Sequence, residues 1–161
     1  MDNGTPPRIV VGVDGSASSI EALKQAQRIA QGLGAHIEAT ACWEAPRMEE
    51  EYAAMGIKGF EERAQRTLNE ALTAAYGPDL PGNVSPKLQE GSPRPTLIEA
   101  SKNAVMLVLG RRGHGGFHGL LIGSVSSACI ARAHCPVLVV HALPGTSKHQ
   151  APAAPAALPE D

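Results

Sequence analysis

The feature that most constrains the fold is a series of short apolar runs separated by longer stretches of helical character. The clearest runs lie at residues 8–14, 105–109 and 136–140, and their apolar residues are mostly Val, Ile and Leu. Such runs are typical of strands that are covered on both faces. Further strands are predicted at residues 37–43 and 84–89. Alternation of strands and helices favours an open, doubly wound, Rossmann-like parallel sheet with helices on both faces.

The stretches between the strands carry recognisable helix signals. Residues 16–33 have an apolar helical stripe, and Ser18 and Glu21 have the spacing of a capping box. The second helix is predicted over residues 60–76. The third is predicted from Ser92, an N-cap followed by Pro93, to about residue 103. A fourth helix is predicted over residues 124–133.

Composition limits the organisation and the partners of the chain. One domain is predicted over residues 8–143, between a tail at 1–7 and an Ala/Pro-rich, disordered tail at 144–161. A net charge of −2 gives no reason to expect nucleic acid or an anionic membrane as partner. No apolar run approaches the roughly 20 residues of a membrane span. Three cysteines without CxxC spacing and a start without a signal-peptide pattern favour the cytoplasm.

A glycine-rich segment between the fourth strand and the fourth helix is the strongest functional signal. It holds six glycines from Gly110 to Gly123, and Ser124 follows. Such a segment leaves the carboxyl end of a buried strand, where open α/β sheets bind ligands, and it opens a helix whose free N–H groups favour phosphate. It contains no GxxxxGK[ST] motif, and His118 breaks the GxGxxG pattern. The alternative is a surface loop in which Ser124 only caps the helix.

The spacing Gly110-x2-Gly113-x9-Gly123-Ser124 resembles the G-x2-G-x9-G-[ST] pattern of the ATP-binding branch of the universal stress protein family. The resemblance extends to residues 9–16 and 135–140 and so covers nearly the whole domain. It implies a five-stranded parallel sheet of order 3-2-1-4-5 and an adenine nucleotide, ATP with Mg²⁺, as ligand. It also implies a homodimer formed through the last strand, Val137–Val140.

The resemblance also implies roles for individual residues. Asp14 lines the adenine and ribose side, and the position that contacts adenine falls on Cys42 or Ala41, of which Cys42 is favoured. Gly110 and Gly113 let the loop wrap the phosphates and ribose. The implied nucleotide-binding set is Gly12, Val13, Asp14, Cys42, Leu109, Gly110, Gly113, Gly123, Ser124, Val125 and Ser126.

Several alternatives stay open at the level of sequence. Asp14 could bind Mg²⁺, hydrogen-bond the ribose or cap the following turn. Arg111 and Arg112 could pair with phosphates or stay solvated. His114 and His118 have i,i+4 spacing, but they stand in a loop without a Glu partner, which disfavours a zinc site. The chain is therefore interpreted as a non-catalytic, stress-responsive ATP sensor. The alternatives are a slow ATPase or nucleotidyl-transfer enzyme, and a partner-binding dimer that uses another adenine nucleotide or none.

Overall fold

All the strands of the structure, a computed structural model that describes residues 4–45, 49–112 and 122–142, belong to one parallel sheet. The strand order is β3-β2-β1-β4-β5, which confirms the predicted fold. Strands and helices alternate without exception over the described residues. The strands are β1 (Arg8–Gly12), β2 (His36–Trp43), β3 (Val84–Glu90), β4 (Met106–Gly110) and β5 (Val137–Val140), and the helices are α1 (Ala17–Leu33), α2 (Glu49–Tyr76), α3 (Pro93–Ser101) and α4 (Ser124–Arg132).

Burial of the two sheet faces explains why the central strands are uniformly apolar. Val10 and Val11 are neighbours on β1 and point to opposite faces, yet both are fully buried. Val11 belongs to a large cluster with α1 and α2, whereas Val10 belongs to a smaller cluster with α3 and α4. The sheet is therefore the middle of three layers, as parallel strands require.

Two helices differ from the sequence prediction. The second begins at Glu49 instead of residue 60, and it is broken at Gly56, whose φ of 67° and ψ of 166° are not helical. The glycine lets the charged, Ala-rich segment form a helical piece of its own before the main helix. The third helix does follow the Ser92 N-cap with Pro93, but it ends at Ser101, earlier than predicted.

The beginning of α1 also corrects a prediction. Its N-cap is Ser16, whose side chain accepts a hydrogen bond from the backbone N–H of Ser19, so Ser18 and Glu21 do not form a capping box. Glu21 is buried and instead accepts a hydrogen bond from Gln25 Nε2 at 3.1 Å. The capping-box spacing was a chance consequence of three serines lying close together.

None of the described helices is long and apolar enough to cross a membrane. The predicted C-terminal tail, from residue 144, lies outside the described residues.

Candidate functional site

A cavity of about 350 Å³, here called the main cavity, lies at the carboxyl ends of β1 and β4. These two strands are neighbours in the sheet. The chain runs from β1 to β2 on one side and from β4 to β5 on the other, so the topological switch point lies between β1 and β4. The cavity brings together the predicted site residues that the structure describes: Gly12, Val13, Asp14, Cys42, Leu109, Gly110, Gly123, Ser124, Val125 and Ser126. The remaining predicted residue, Gly113, lies outside the described residues, as do His114 and His118.

The short connection between β1 and α1 forms one wall, and its own side chains hold it in place. Asp14 Oδ1 accepts hydrogen bonds from the backbone N–H of Ser16 at 2.9 Å and from the Ser16 hydroxyl at 2.5 Å. Ser16 Oγ in turn accepts a hydrogen bond from the N–H of Ser19 at 3.2 Å. Gly15 makes the turn with a φ of 82°. Asp14 therefore fills the turn-capping role that the sequence left open, while it also lines the cavity.

The long connection between β4 and α4 forms the opposite wall and is fixed at both ends. The N–H of Gly123 donates to the carbonyl of Arg111 at 2.8 Å, and the N–H of Arg111 donates to the carbonyl of Val140 at 2.7 Å. The Ser126 hydroxyl donates to the carbonyl of Gly110 at 2.7 Å. These bonds hold the two described ends of the connection, at Arg111 and Gly123, next to each other.

The first turn of α4 faces the cavity without a side-chain cap. Gly123 is the N-cap, in an extended conformation with φ −68° and ψ 163°, and no side chain caps the helix. Ser124 is the first helical residue, so the interpretation of Ser124 as a simple N-cap is wrong. The first N–H groups of a helix have no partner within it, and here the N–H groups and the Ser124 hydroxyl lie beside the cavity. An anion is the natural partner for such an end.

Gly110 is required by packing as well as by position. A Cβ built on it would lie 2.8 Å from the carbonyl carbon of Ser18 and 2.8 Å from the backbone nitrogen of Ser19. Real Cβ atoms do not approach backbone atoms so closely. The glycine therefore lets the end of β4 contact the first turn of α1 directly, and this reason is independent of any ligand.

The part of the cavity that β2 lines, here called the inner end, is uncharged. Cys42 and Thr40 line it from β2, whereas Ala41 points to the opposite face and is buried in the core, so Cys42 is the better placed of the two candidates. Burial raises the pKa of the Cys42 thiol, partly offset by a hydrogen bond with Thr96. Neutral, apolar surroundings suit a planar base better than a charged group.

Sequence reasoning missed several residues of the cavity. The alternation of side chains along β2 links Thr40 to Cys42, and that signal was available in the sequence. The contributions of Ser19 and of the third helix depend on how α1 and α3 pack, which no local pattern reveals. Arg112, whose role the sequence left open, also lines the cavity. The missed residues are Ser16, Ser19, Thr40, Pro93 and Leu97.

Charged groups are few around the main cavity. Asp14 and Arg112 are its only charged side chains among the described residues. No cluster of three or more His, Cys, Asp or Glu side chains suitable for a metal exists in that part of the chain. A divalent cation would therefore need oxygen ligands from a bound phosphate in addition to Asp14.

Solved structures share this fold over most of their length. The universal stress protein UspA from Lactobacillus plantarum superposes with a TM-score of 0.67 at 22% identity, over 86% of this chain and 99% of that one. A universal stress protein crystallised in complex with cAMP gives a TM-score of 0.55 at 25% identity, over 87% of this chain and 100% of that one.

Sequence relatives agree with the structures. A universal stress protein of Mycolicibacterium smegmatis is 35% identical over 155 residues, which is 88% of this chain and 50% of the relative. One from Mycobacterium bovis is 40% identical over 88 residues, 53% of this chain and 30% of the relative, so the chain spans half or less of these proteins. The pattern of the universal stress protein family matches residues 6–141. The chain belongs to the universal stress protein family.

Proposed function

We propose that this chain binds ATP in the main cavity and acts as a nucleotide-dependent sensor or regulatory module. The observation that carries the proposal is the uncapped first turn of α4, Gly123 to Ser126, which faces a cavity whose inner end is uncharged. Helix N–H groups offer donors for phosphate at one end, and neutral side chains offer a place for a base at the other. A nucleotide combines these two chemistries in one molecule.

The residues of the cavity divide between the parts of such a ligand. Gly123, Ser124, Val125 and Ser126 would hold phosphates through main-chain N–H groups and hydroxyls. Gly12, Val13 and Asp14 would line the ribose and adenine, with Cys42 beside the base. Gly110 would let the loop wrap the phosphates and ribose, and Leu109 lines the cavity next to it. Gly113 is proposed to help the loop wrap the phosphates. Mg²⁺ would arrive with the phosphates, and Asp14 is the carboxylate within the described cavity that could add a ligand to it.

The universal stress protein crystallised with cAMP supports an adenine nucleotide as the ligand, since it is 25% identical to this chain. It does not distinguish ATP from other adenine nucleotides. The phosphate end of the cavity favours a polyphosphate, because several donors converge there beside Arg112. A sensor role is preferred to catalysis because the described cavity offers one carboxylate and no assigned nucleophile.

We also infer that the chain forms a homodimer through β5. This strand is the outer strand of the sheet, next to β4, and Val137, Leu138 and Val139 keep part of their surface exposed. An apolar outer strand is an aggregation hazard unless another surface covers it, and a second copy of the same strand would do so. Sedimentation velocity at micromolar concentration should show a dimer, and a monomer at all concentrations would contradict this inference.

The nucleotide proposal is tested on the purified full chain. Denaturation should release an adenine nucleotide that chromatography identifies, and ATP with Mg²⁺ should raise the melting temperature of nucleotide-free protein. Gly123→Val should weaken ATP binding by about tenfold or more, since a bulky side chain would stand at the uncapped helix end. Gly82→Val is the matched control, because a Cβ at Gly82 meets nothing within 4 Å.

Two results would overturn parts of the proposal. Absence of any bound nucleotide, together with no thermal shift in millimolar Mg-ATP, would remove ATP binding. Sustained release of phosphate from [γ-³²P]ATP, lost in Gly123→Val and kept in Gly82→Val, would replace the sensor by an ATPase.

A further inference from the structure

Ser18 is a buried serine beside the main cavity that does not line it. Two other serines at the start of α1, Ser16 and Ser19, both line the cavity, whereas Ser18 does not. Only 7% of Ser18 is exposed. Capping does not explain its burial, because Ser16 is the N-cap of α1. A ligand in the main cavity would not touch Ser18, so any role of its hydroxyl in binding acts through other residues.

The Ser18 hydroxyl joins the two walls of the main cavity. It donates to the carbonyl of Arg112 at 2.5 Å, although the two residues are 94 positions apart in the chain. Ser18 lies on α1, directly after the β1–α1 wall, and Arg112 lines the cavity from the β4–α4 wall. The hydrogen bond therefore holds the backbone of the second wall against the helix that follows the first.

Packing at the same point leaves little room for adjustment. A Cβ built on Gly110 would lie 2.8 Å from the carbonyl carbon of Ser18, so the end of β4 already contacts the backbone of α1. The hydrogen bond to Arg112 forms only two residues further along the chain. Close packing and a directed hydrogen bond together fix where the β4–α4 connection leaves the sheet.

The bond to Arg112 is separate from the hydrogen bonds that hold the Asp14 turn. Ser16 Oγ lies 3.4 Å from Ser18 Oγ, but the Ser16 hydroxyl donates to Asp14 Oδ1 at 2.5 Å. Each hydroxyl has one proton to donate, and that of Ser18 goes to Arg112. Removal of the Ser18 hydroxyl therefore leaves the bonds between Asp14 and Ser16 in place.

The backbone next to Arg112 carries the constraint to α4. The carbonyl of Arg111 accepts the N–H of Gly123 at 2.8 Å. Gly123 is the N-cap of α4, whose first turn has no side-chain cap and borders the main cavity. Because Arg111 and Arg112 are joined by a planar peptide, fixing the carbonyl of one limits the position of the other. The bond from Ser18 thus restrains the start of α4 through two backbone steps.

We propose that Ser18 is a positioning residue for nucleotide binding, whose hydroxyl holds the β4–α4 wall in the conformation that receives phosphate. This inference rests on the nucleotide function proposed above. A wall that is already ordered loses less conformational freedom when the ligand arrives, and the affinity is higher for that reason. ATP would place three phosphates against this wall and AMP only one. The affinity for ATP should therefore depend on Ser18 more than the affinity for AMP.

The test compares Ser18→Ala with Ser101→Ala in the full chain. Ser101 is the matched control, because it is also a buried serine whose hydroxyl donates to a backbone carbonyl at 2.5 Å, that of Ile98, and it does not line the main cavity. Amide hydrogen exchange followed by NMR without nucleotide would report on the Gly123 N–H. Isothermal titration calorimetry would measure the affinities for ATP and AMP separately.

Ser18→Ala should speed the exchange of the Gly123 N–H by about tenfold, and it should weaken ATP binding by about fivefold and AMP binding by less. Ser101→Ala should leave all three values unchanged, even if it lowers the melting temperature. Unchanged ATP affinity in Ser18→Ala would overturn the proposal, and so would equal losses of ATP and AMP affinity or equal effects of the two variants. If the wild type binds no nucleotide but Ser18→Ala alone speeds the exchange of Gly123, the proposed function fails, while the role of Ser18 in holding the wall stands.

Discussion

The two connections that border the main cavity solve the same structural problem in opposite ways. Each joins a buried strand to a helix at the same edge of the sheet. In the β1–α1 connection, Asp14 and Ser16 satisfy the backbone of the turn and of the helix end with their own side chains. In the β4–α4 connection, Gly123 begins the helix without any side-chain cap.

The difference separates stability from binding. Hydrogen bonds that the protein makes to itself lower the free energy of the empty structure, whereas donors left without a side-chain partner contribute only when a ligand arrives. We therefore expect changes in the β1–α1 connection to alter the free energy of unfolding first. Changes at the start of α4 should alter nucleotide affinity first.

The largest expected effect comes from the point where the two connections touch. Gly110→Ala would place a Cβ 2.8 Å from backbone atoms of Ser18 and Ser19, and neither can move without shifting the first turn of α1. We expect a loss of about 3 kcal/mol in the free energy of unfolding, as in overpacked cores. Urea denaturation followed by circular dichroism measures it.

The matched control is Gly32→Ala on the same helix α1, where a Cβ would meet nothing within 4 Å. Alanine favours helix over glycine, so this variant should be as stable as the wild type or slightly more so. Equal stabilities for the Gly110 and Gly32 variants would show that the contact between β4 and α1 is not tight.

Ser124→Ala tests the β4–α4 connection, and we expect it to change ATP affinity without changing stability. The Ser124 hydroxyl does not cap α4, because Gly123 holds that position, so its removal should leave the unfolding free energy nearly unchanged. ATP affinity should fall about tenfold, the loss of one hydrogen bond to a charged phosphate. Calorimetric titration beside a urea melt tests both parts, and a stability loss without an affinity loss would contradict the assignment.

Ser16→Ala tests the β1–α1 connection, where we expect a change in stability. It removes the N-cap of α1 and the hydroxyl that Asp14 binds, which should cost about 1 kcal/mol of unfolding free energy. The urea midpoint should shift while the fold is kept. Ser18→Ala serves for comparison, because Ser18 does not cap the helix: its hydroxyl donates to the distant carbonyl of Arg112 and lies 3.4 Å from the Ser16 hydroxyl. An unchanged midpoint for Ser16→Ala would show that the cap contributes nothing.

These serines also show how far the sequence predicts the molecule. The sheet and its order were predicted correctly, because buried strands such as β4 carry a local signal and the family resemblance supplies the order. The choice of Ser16 over Ser18 as N-cap was not predicted, since it depends on the Asp14 turn and on a bond to Arg112 from a distant part of the chain. The choice between two serines two residues apart is made only by tertiary contacts.

The site shows the same division. Glycine spacing indicated the helix start that borders the cavity, because backbone chemistry at a helix start leaves a pattern in sequence. The inner end depended on which β2 side chains face α3, and the sequence offered Cys42, favoured over Ala41, for that position. Thr40, two residues before Cys42 on the same face of β2, was not proposed, although the alternation of side chains along the strand links the two positions.

Thr40 provides the smallest and last prediction. Its carbonyl accepts the N–H of Val13 at 2.8 Å and so supports the β1–α1 connection, but its buried Oγ1 has no hydrogen-bond partner within the described residues. Thr40→Val keeps the shape of the side chain and removes the unsatisfied oxygen. In the absence of nucleotide, we expect it to raise the free energy of unfolding by about 1 kcal/mol or less. Thr40→Ser is the control, because it keeps the oxygen, loses the methyl group and should be less stable than the wild type. If the wild type becomes more stable to urea than Thr40→Val when ATP is saturating, the Thr40 hydroxyl contributes to nucleotide binding. A Thr40→Val variant less stable than the wild type in the absence of nucleotide would show that the oxygen is satisfied.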